Sequence, residues 1–143
     1  MIDRHTIPSS IVCDRNKIKS YTYTVNNRAR SNRFWTFQEI GRIPAYDLLL
    51  KMEHQGWKCI YCEQKLTFST CHLDHVYPMA KGGAHYLYNV AFACKVCNCD
   101  KNDKTLSRFC KKRGYDLDAI RQRMSDINQK LHDVIFRDYD SLD

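Results

Sequence analysis

The chain has 143 residues, 43% of them hydrophobic, a net charge of +7 and a sequence pI near 9.0. That length suits one domain with appendages, the apolar content excludes disorder by composition, and no apolar run approaches the roughly 20 residues of a membrane span. The opening Met1-Ile2-Asp3-Arg4-His5 lacks the basic-then-apolar pattern of an export signal, so a cytoplasmic setting is expected.

The distribution of charge matters more than its total. Residues 1–42 carry eight Lys/Arg against three acids, a net of +5, and residues 95–115 carry seven against two, again +5. Residues 43–94 between them are neutral, four against four, and residues 116–143 are acidic, four against seven. An isolated charge run is usually a solvated face, but two basic segments flanking a neutral core suit a polyanion. The chain divides into a basic N-terminal extension (1–42), a core (43–106) and a C-terminal helical extension (107–143).

In chain order, Ser20 to Val25 alternates and is rich in β-formers, which predicts a short strand turning at Asn26-Asn27. Arg28, Arg30 and Arg33 follow as candidate phosphate contacts, with Phe34 and Trp35 read as packing residues. Pro44 opens a helix through Gln55, and Gly56 is placed to end it. Leu66–Phe68 and His72–Val76 read as strands, the second stopped by Pro78. Residues 77–88 form a loop through Gly82-Gly83, and Asn89–Ala93 is a further strand. A helix is expected from Cys97 or Asn98 to about Leu106, and another over Ser107–Arg113 ended by Gly114. Leu117, Ile120, Met124, Ile127, Leu131 and Val134 then form a heptad-like stripe with Asp116 as N-cap. Such a stripe either joins two copies through residues 116–135 or packs on its own domain, and its shortness favours the domain.

The cysteines carry the first chemical signal. Cys59-Ile60-Tyr61-Cys62 and Cys94-Lys95-Val96-Cys97 are paired knuckles, and two such knuckles in one module point to a single structural Zn²⁺ rather than to disulfides. Cys13, Cys71, Cys99 and Cys110 are expected to be free thiols. Between the knuckles lies Asp74-His75. Adjacent strand residues point to opposite faces, so a strand ending there lets Asp74 face a metal while His75 faces a water. Asn98 directly follows a thiolate ligand, and Asp with Asn offers hard oxygen donors that suit Mg²⁺ or Mn²⁺.

The run Cys59-x-x-Cys62, Asp74-His75-Val76-x-Pro78, Lys81-Gly82-Gly83, Asn89, Cys94-x-x-Cys97-Asn98-x-x-Lys101 resembles the zinc-stabilised HNH endonucleases, small stand-alone proteins of phages and bacteria. The resemblance covers about residues 57–105 and implies an α+β, ββα-metal core of treble-clef type with a four-cysteine zinc site and flanking helices. It implies His75 as general base, Asp74 and Asn98 as ligands of a catalytic Mg²⁺ or Mn²⁺, and Asn89 as the residue that ties the loop and orients His75. The third position of the family motif is often His and is Asn98 here. Lys101, one turn after Asn98, and Lys104 are candidate phosphate contacts, and His72 and His85 lie nearby in sequence. The expected activity is metal-dependent DNA cleavage or nicking. The alternative, a zinc-ribbon DNA-binding module that cleaves nothing, leaves Asp74, His75, Asn89 and Asn98 unexplained.

Overall fold

A computed structural model describes residues 43–140, with side chains described through residue 135. The expected strand over 20–25, the arginines at 28, 30 and 33, and Cys13 lie outside the described residues.

Helix α1 spans Ala45–His54. Pro44 supplies the fixed φ that a helix start needs, and its carbonyl accepts from Leu48 N–H. Gly56, at φ +70°, ends the last turn in the left-handed region. The chain then enters the first cysteine knuckle, where Glu63 N–H donates to Cys59 O and Cys59 N–H to Gln64 O, closing a tight turn.

Strands β1 (Cys71–His75) and β2 (Val90–Cys94) form an antiparallel pair in the register Cys71↔Cys94, Leu73↔Phe92, His75↔Val90. Leu66–Phe68 is not a strand. Leu66 N–H donates to Trp57 O, the Thr67 carbonyl accepts from Thr70 and Cys71 N–H, and Phe68 packs edge-on against Trp57 at 5.0 Å. Those β-formers are consumed in a turn that covers the core. The outer edge of β2 is occupied by a side chain: Gln55 Nε2 donates to Phe92 O, and Phe92 N–H donates to Gln55 Oε1 at 3.1 Å.

The β1–β2 connection contains two short 3₁₀ turns, Met79–Lys81 and Leu87–Asn89. Gly83 is required where the loop folds back, because a Cβ there would sit 1.8 Å from the Tyr77 carbonyl oxygen.

Helix α2 spans Lys95–Lys101, starting two or three residues before the expected Cys97 or Asn98 and ending well short of the expected Leu106. The usual cap residues are absent, and Cys94 does their work: its Sγ accepts from Cys97 N–H at 3.4 Å. Helix α3 spans Leu106–Arg113, capped by Thr105 and ended by Gly114. Helix α4 spans Leu117–Asp140, with Asp116 Oδ1 accepting from Ala119 N–H as expected of an N-cap.

One core unites these elements. Leu48, Phe92, Phe109 and Leu131 are completely buried, and each such side chain contributes about 1.5–3 kcal/mol by leaving water. All five residues of β2 are buried, since α2 packs on the β pair and α1 packs on α4 beside it. Ile120, Ile127, Leu131 and Val134 belong to the same cluster. The α4 stripe is therefore spent inside its own domain, and a dimer seam over 116–135 is not supported. No described helix is long and apolar enough to cross a membrane.

Candidate active site

Two polar centres sit on the β1–β2–α2 frame. The first is the cysteine cluster: the Sγ atoms of Cys59, Cys62, Cys94 and Cys97 all lie within 4.8 Å of one another. Tetrahedral Zn²⁺ at about 2.3 Å from each sulfur places the sulfurs ~3.8 Å apart, and Cys62 and Cys94 Sγ are 3.7 Å apart. That separation also excludes a disulfide, whose sulfurs are bonded at about 2.0 Å. Cys62 and Cys97 N–H groups point at Cys59 and Cys94 Sγ, each knuckle thereby solvating its first sulfur. Burial pushes the Cys59 thiol up to about 11 in the bare cluster, so a thiolate there needs a cation beside it. The donor set fits a metal ion such as zinc. Cys71 and Cys110 are buried thiols outside the cluster, Cys71 Sγ donating to the Phe68 carbonyl, and Cys99 is an exposed thiol.

The second centre is the end of β1. Asp74 and His75 face opposite ways, as alternation along a strand requires. Asp74 is 5% exposed. Its Oδ2 accepts from the Tyr61 hydroxyl in a short hydrogen bond and from Lys101 Nζ at 3.1 Å. Burial raises the Asp74 carboxyl, with Lys101 and Tyr61 opposing that rise. The Tyr61 hydroxyl is held well above its ordinary range by burial and by the adjacent Asp74 charge, so it stays protonated and donates.

Lys101 is completely buried, and its Nζ also donates to His75 O at 3.1 Å. The expectation that Lys101 touches a phosphate is thereby corrected, since its ammonium is an internal counterion that fastens α2 to the end of β1. A lysine after a cysteine knuckle reads as a surface residue because nothing local announces its carboxylate partner on β1. Lys104, the other expected contact, is partly buried and donates to Asp100 O. The exposed basic side chains of this region are Lys95 on α2 and Arg108, Lys111, Lys112 and Arg113 on α3.

His75, on the other face, has Nε2 2.9 Å from Nδ1 of His85. Burial, reinforced by the neighbouring His85 and Lys101 charges, lowers His75 to about 4, so its imidazole is neutral at pH 7. His72 sits opposite Ala93 in the ladder.

Asn89 is joined to the loop at three points. Its Oδ1 accepts from Tyr77 N–H, and its Nδ2 donates to Tyr77 O and Ala84 O. Val76 N–H donates to Asn89 O, so Asn89 holds the segment that leaves His75. Asn98 lies one turn before Lys101 on the same face of α2, and its side chain makes no hydrogen bond among the described residues. Asn98 thus shares a helix face with the lysine that reaches Asp74. Asp74 and Asn98 are both hard oxygen donors, a set that fits a small divalent cation.

Tyr61 is the hydrogen-bond partner of Asp74 that the sequence did not point to. The available signal was its place between Cys59 and Cys62, where two ligands fix its backbone.

Comparison with known proteins agrees with this geometry. The family model described as HNH endonuclease matches residues 59–113. The CRISPR-associated endonuclease Cas9 of Actinomyces naeslundii is 29% identical over 104 residues, covering 71% of this chain and 9% of that protein. The crystal structure of the Type II-C Cas9 enzyme from the same organism superposes with a TM-score of 0.50 at 22% identity, over 94% of this chain and 15% of that one. The chain thus spans a small fraction of the relative it matches. Knuckles, strand pair and helix all fall inside residues 59–113, the segment that matches the HNH endonuclease family model.

Proposed function

We propose that the chain is a metal-dependent DNA endonuclease that hydrolyses phosphodiester bonds. The observation that carries this reading is the opposed pair at the end of β1: Asp74 anchored inward by Lys101 and Tyr61, and His75 held neutral on the other face. A neutral imidazole is the form a general base requires, and His75 takes the proton of the attacking water. Asn89 ties down the loop that follows His75 and so fixes its direction of approach.

Asp74 and Asn98 are the residues that would hold Mg²⁺ or Mn²⁺ in this reading. Such an ion, when bound, polarises the scissile phosphate and stabilises the departing oxygen. Cys59, Cys62, Cys94 and Cys97 hold Zn²⁺ as a closed structural site that takes no part in the chemistry. The exposed cations of α3, with Arg28, Arg30 and Arg33 of the N-terminal segment, supply phosphate contacts. With one His75 per chain and the α4 stripe spent internally, the expected first product is a nicked circle.

The test is cleavage of supercoiled plasmid with Mg²⁺ or Mn²⁺. Wild type is expected to relax the plasmid, and His75→Ala to lose about 10²-fold or more in rate, the scale of general-base catalysis. Equal inertness of both proteins with every metal would overturn the reading and leave a non-cleaving zinc-ribbon DNA-binding protein in its place.

A further inference from the structure

We infer that Tyr61 and Lys101 are positioning residues for the cation site: they hold Asp74 Oδ2 so that Oδ1 is turned toward a divalent cation, and through Tyr61 the first cysteine knuckle becomes part of that site. The inference rests on the endonuclease reading for the identity of the cation and on geometry for the rest.

A carboxylate offers about four lone-pair positions on its two oxygens. Both donors that reach Asp74 fall on the same oxygen, Oδ2. No hydrogen bond or ion pair within the described residues falls on Oδ1. A carboxylate buried purely for structure gains most when donors satisfy both oxygens. One clamped oxygen and one uncommitted oxygen is instead the arrangement of a monodentate ligand whose outer oxygen is already oriented.

The two donors come from different parts of the frame. Tyr61 lies between Cys59 and Cys62, and its ring packs edge-on against Phe109 at 5.2 Å. Lys101 ends the helix that starts beside Cys94 and Cys97. Each knuckle therefore delivers one donor to the same carboxylate oxygen. Lys101 is bonded a second time, to His75 O, so displacement of Asp74 also strains the backbone of the adjacent residue. Tyr61 donates a neutral hydrogen bond, so its removal tests orientation without changing the charge next to the cation.

The experiment uses the full zinc-loaded chain and measures Mn²⁺ binding directly by calorimetry, alongside plasmid cleavage. Tyr61→Phe is expected to keep its zinc and to bind Mn²⁺ about tenfold more weakly or worse, the usual consequence of losing a partner behind a metal ligand. Its cleavage rate is expected to recover at saturating Mn²⁺, whereas Asp74→Ala recovers at no concentration. Phe109→Leu, which loosens the packing around the ring and keeps the hydroxyl, is expected to leave Mn²⁺ affinity unchanged. Unaltered Mn²⁺ affinity in zinc-loaded Tyr61→Phe, with wild type binding Mn²⁺ and cleaving, overturns the positioning role and leaves the endonuclease reading intact. Wild type that neither binds Mn²⁺ nor cleaves overturns both. A second measurement needs no variant: in an Mg²⁺ titration of ring-labelled wild type, the Tyr61 resonances are expected to move with the midpoint of the Asp74-dependent site. Tyr61 resonances that stay still through that midpoint would also sink the proposal.

Discussion

The cysteine cluster and the Asp74 carboxylate sit on the same strands and helix, yet they are finished to different degrees. Four thiols converge within 4.8 Å, each directed at one shared centre. Asp74 is committed through a single oxygen, to Tyr61 and Lys101. A centre whose donors all converge is closed and acts as scaffold, whereas a half-committed carboxylate is held firmly and still has bonding capacity for chemistry. Lys51 is the useful control for both. It is 2% exposed, and among the described residues its ammonium meets the Leu87 carbonyl and Asn128 Oδ1 and no carboxylate.

The largest effect should come from opening the closed centre. Cys97→Ser is expected to lose tightly bound zinc and, with it, the cooperative fold, because structural zinc sites carry on the order of 10–16 kcal/mol of apparent binding free energy. Metal analysis and circular dichroism check this, and a folded, zinc-free Cys97→Ser would erase the contrast between the two centres.

Next comes the half-committed centre. Lys101→Met leaves Asp74 buried without its counterion and is expected to cost about 3–5 kcal/mol in urea unfolding without added divalent cation. Removing both charges, as Asp74→Asn with Lys101→Met, should recover most of that loss, since the penalty lies in the orphaned partner. Additive losses in the double variant would mean that the two side chains do not act as a pair.

Lys51 sharpens the comparison through pH. Burial lowers its pKa from 10.5 to about 7. Between those values the unfolded chain carries a proton on Lys51 that the folded chain lacks, so stability rises with pH across that window. Measured against Lys51→Met, wild type should gain up to about 1.4 kcal/mol per pH unit between pH 7.5 and 9. A difference that is flat or falls with pH would mean the ammonium stays charged in the fold. The smallest expected effect is that of Tyr61→Phe on stability, about 1 kcal/mol for one buried hydrogen bond, followed by the same urea titration.

The parts of this molecule legible in its sequence are those that depend on near neighbours. The Cys-x-x-Cys spacing places two thiols on one tight turn whatever surrounds it, Asp116 caps α4 from three residues away, and Pro44 and Gly56 bracket α1. What was not legible depends on distant partners. Leu66–Phe68 has strand composition but is drawn into a turn under Trp57. The start of α2 escaped a rule that looks for Ser, Thr, Asp or Asn, because a cysteine sulfur serves as the cap. Lys101 reads as a surface cation until β1 is laid beside α2 and its carboxylate partner appears. The proximity of His85 to His75 depends in the same way on how the glycine loop returns.

Gln55 has a consequence for how copies of this protein behave toward one another. A two-stranded ladder normally exposes a row of unpaired amides that another chain can extend into a larger sheet. Here a side-chain amide pairs with the N–H and C=O of Phe92 as a third strand would, and Ile60 N–H takes the same carbonyl. The fully buried strand β2 therefore presents no template at its centre among the described residues. Gln55 and Ile60 together occupy the outward N–H and C=O of Phe92, and Gln55→Leu is expected to leave that N–H open to pairing with another strand, which light scattering on heating would register.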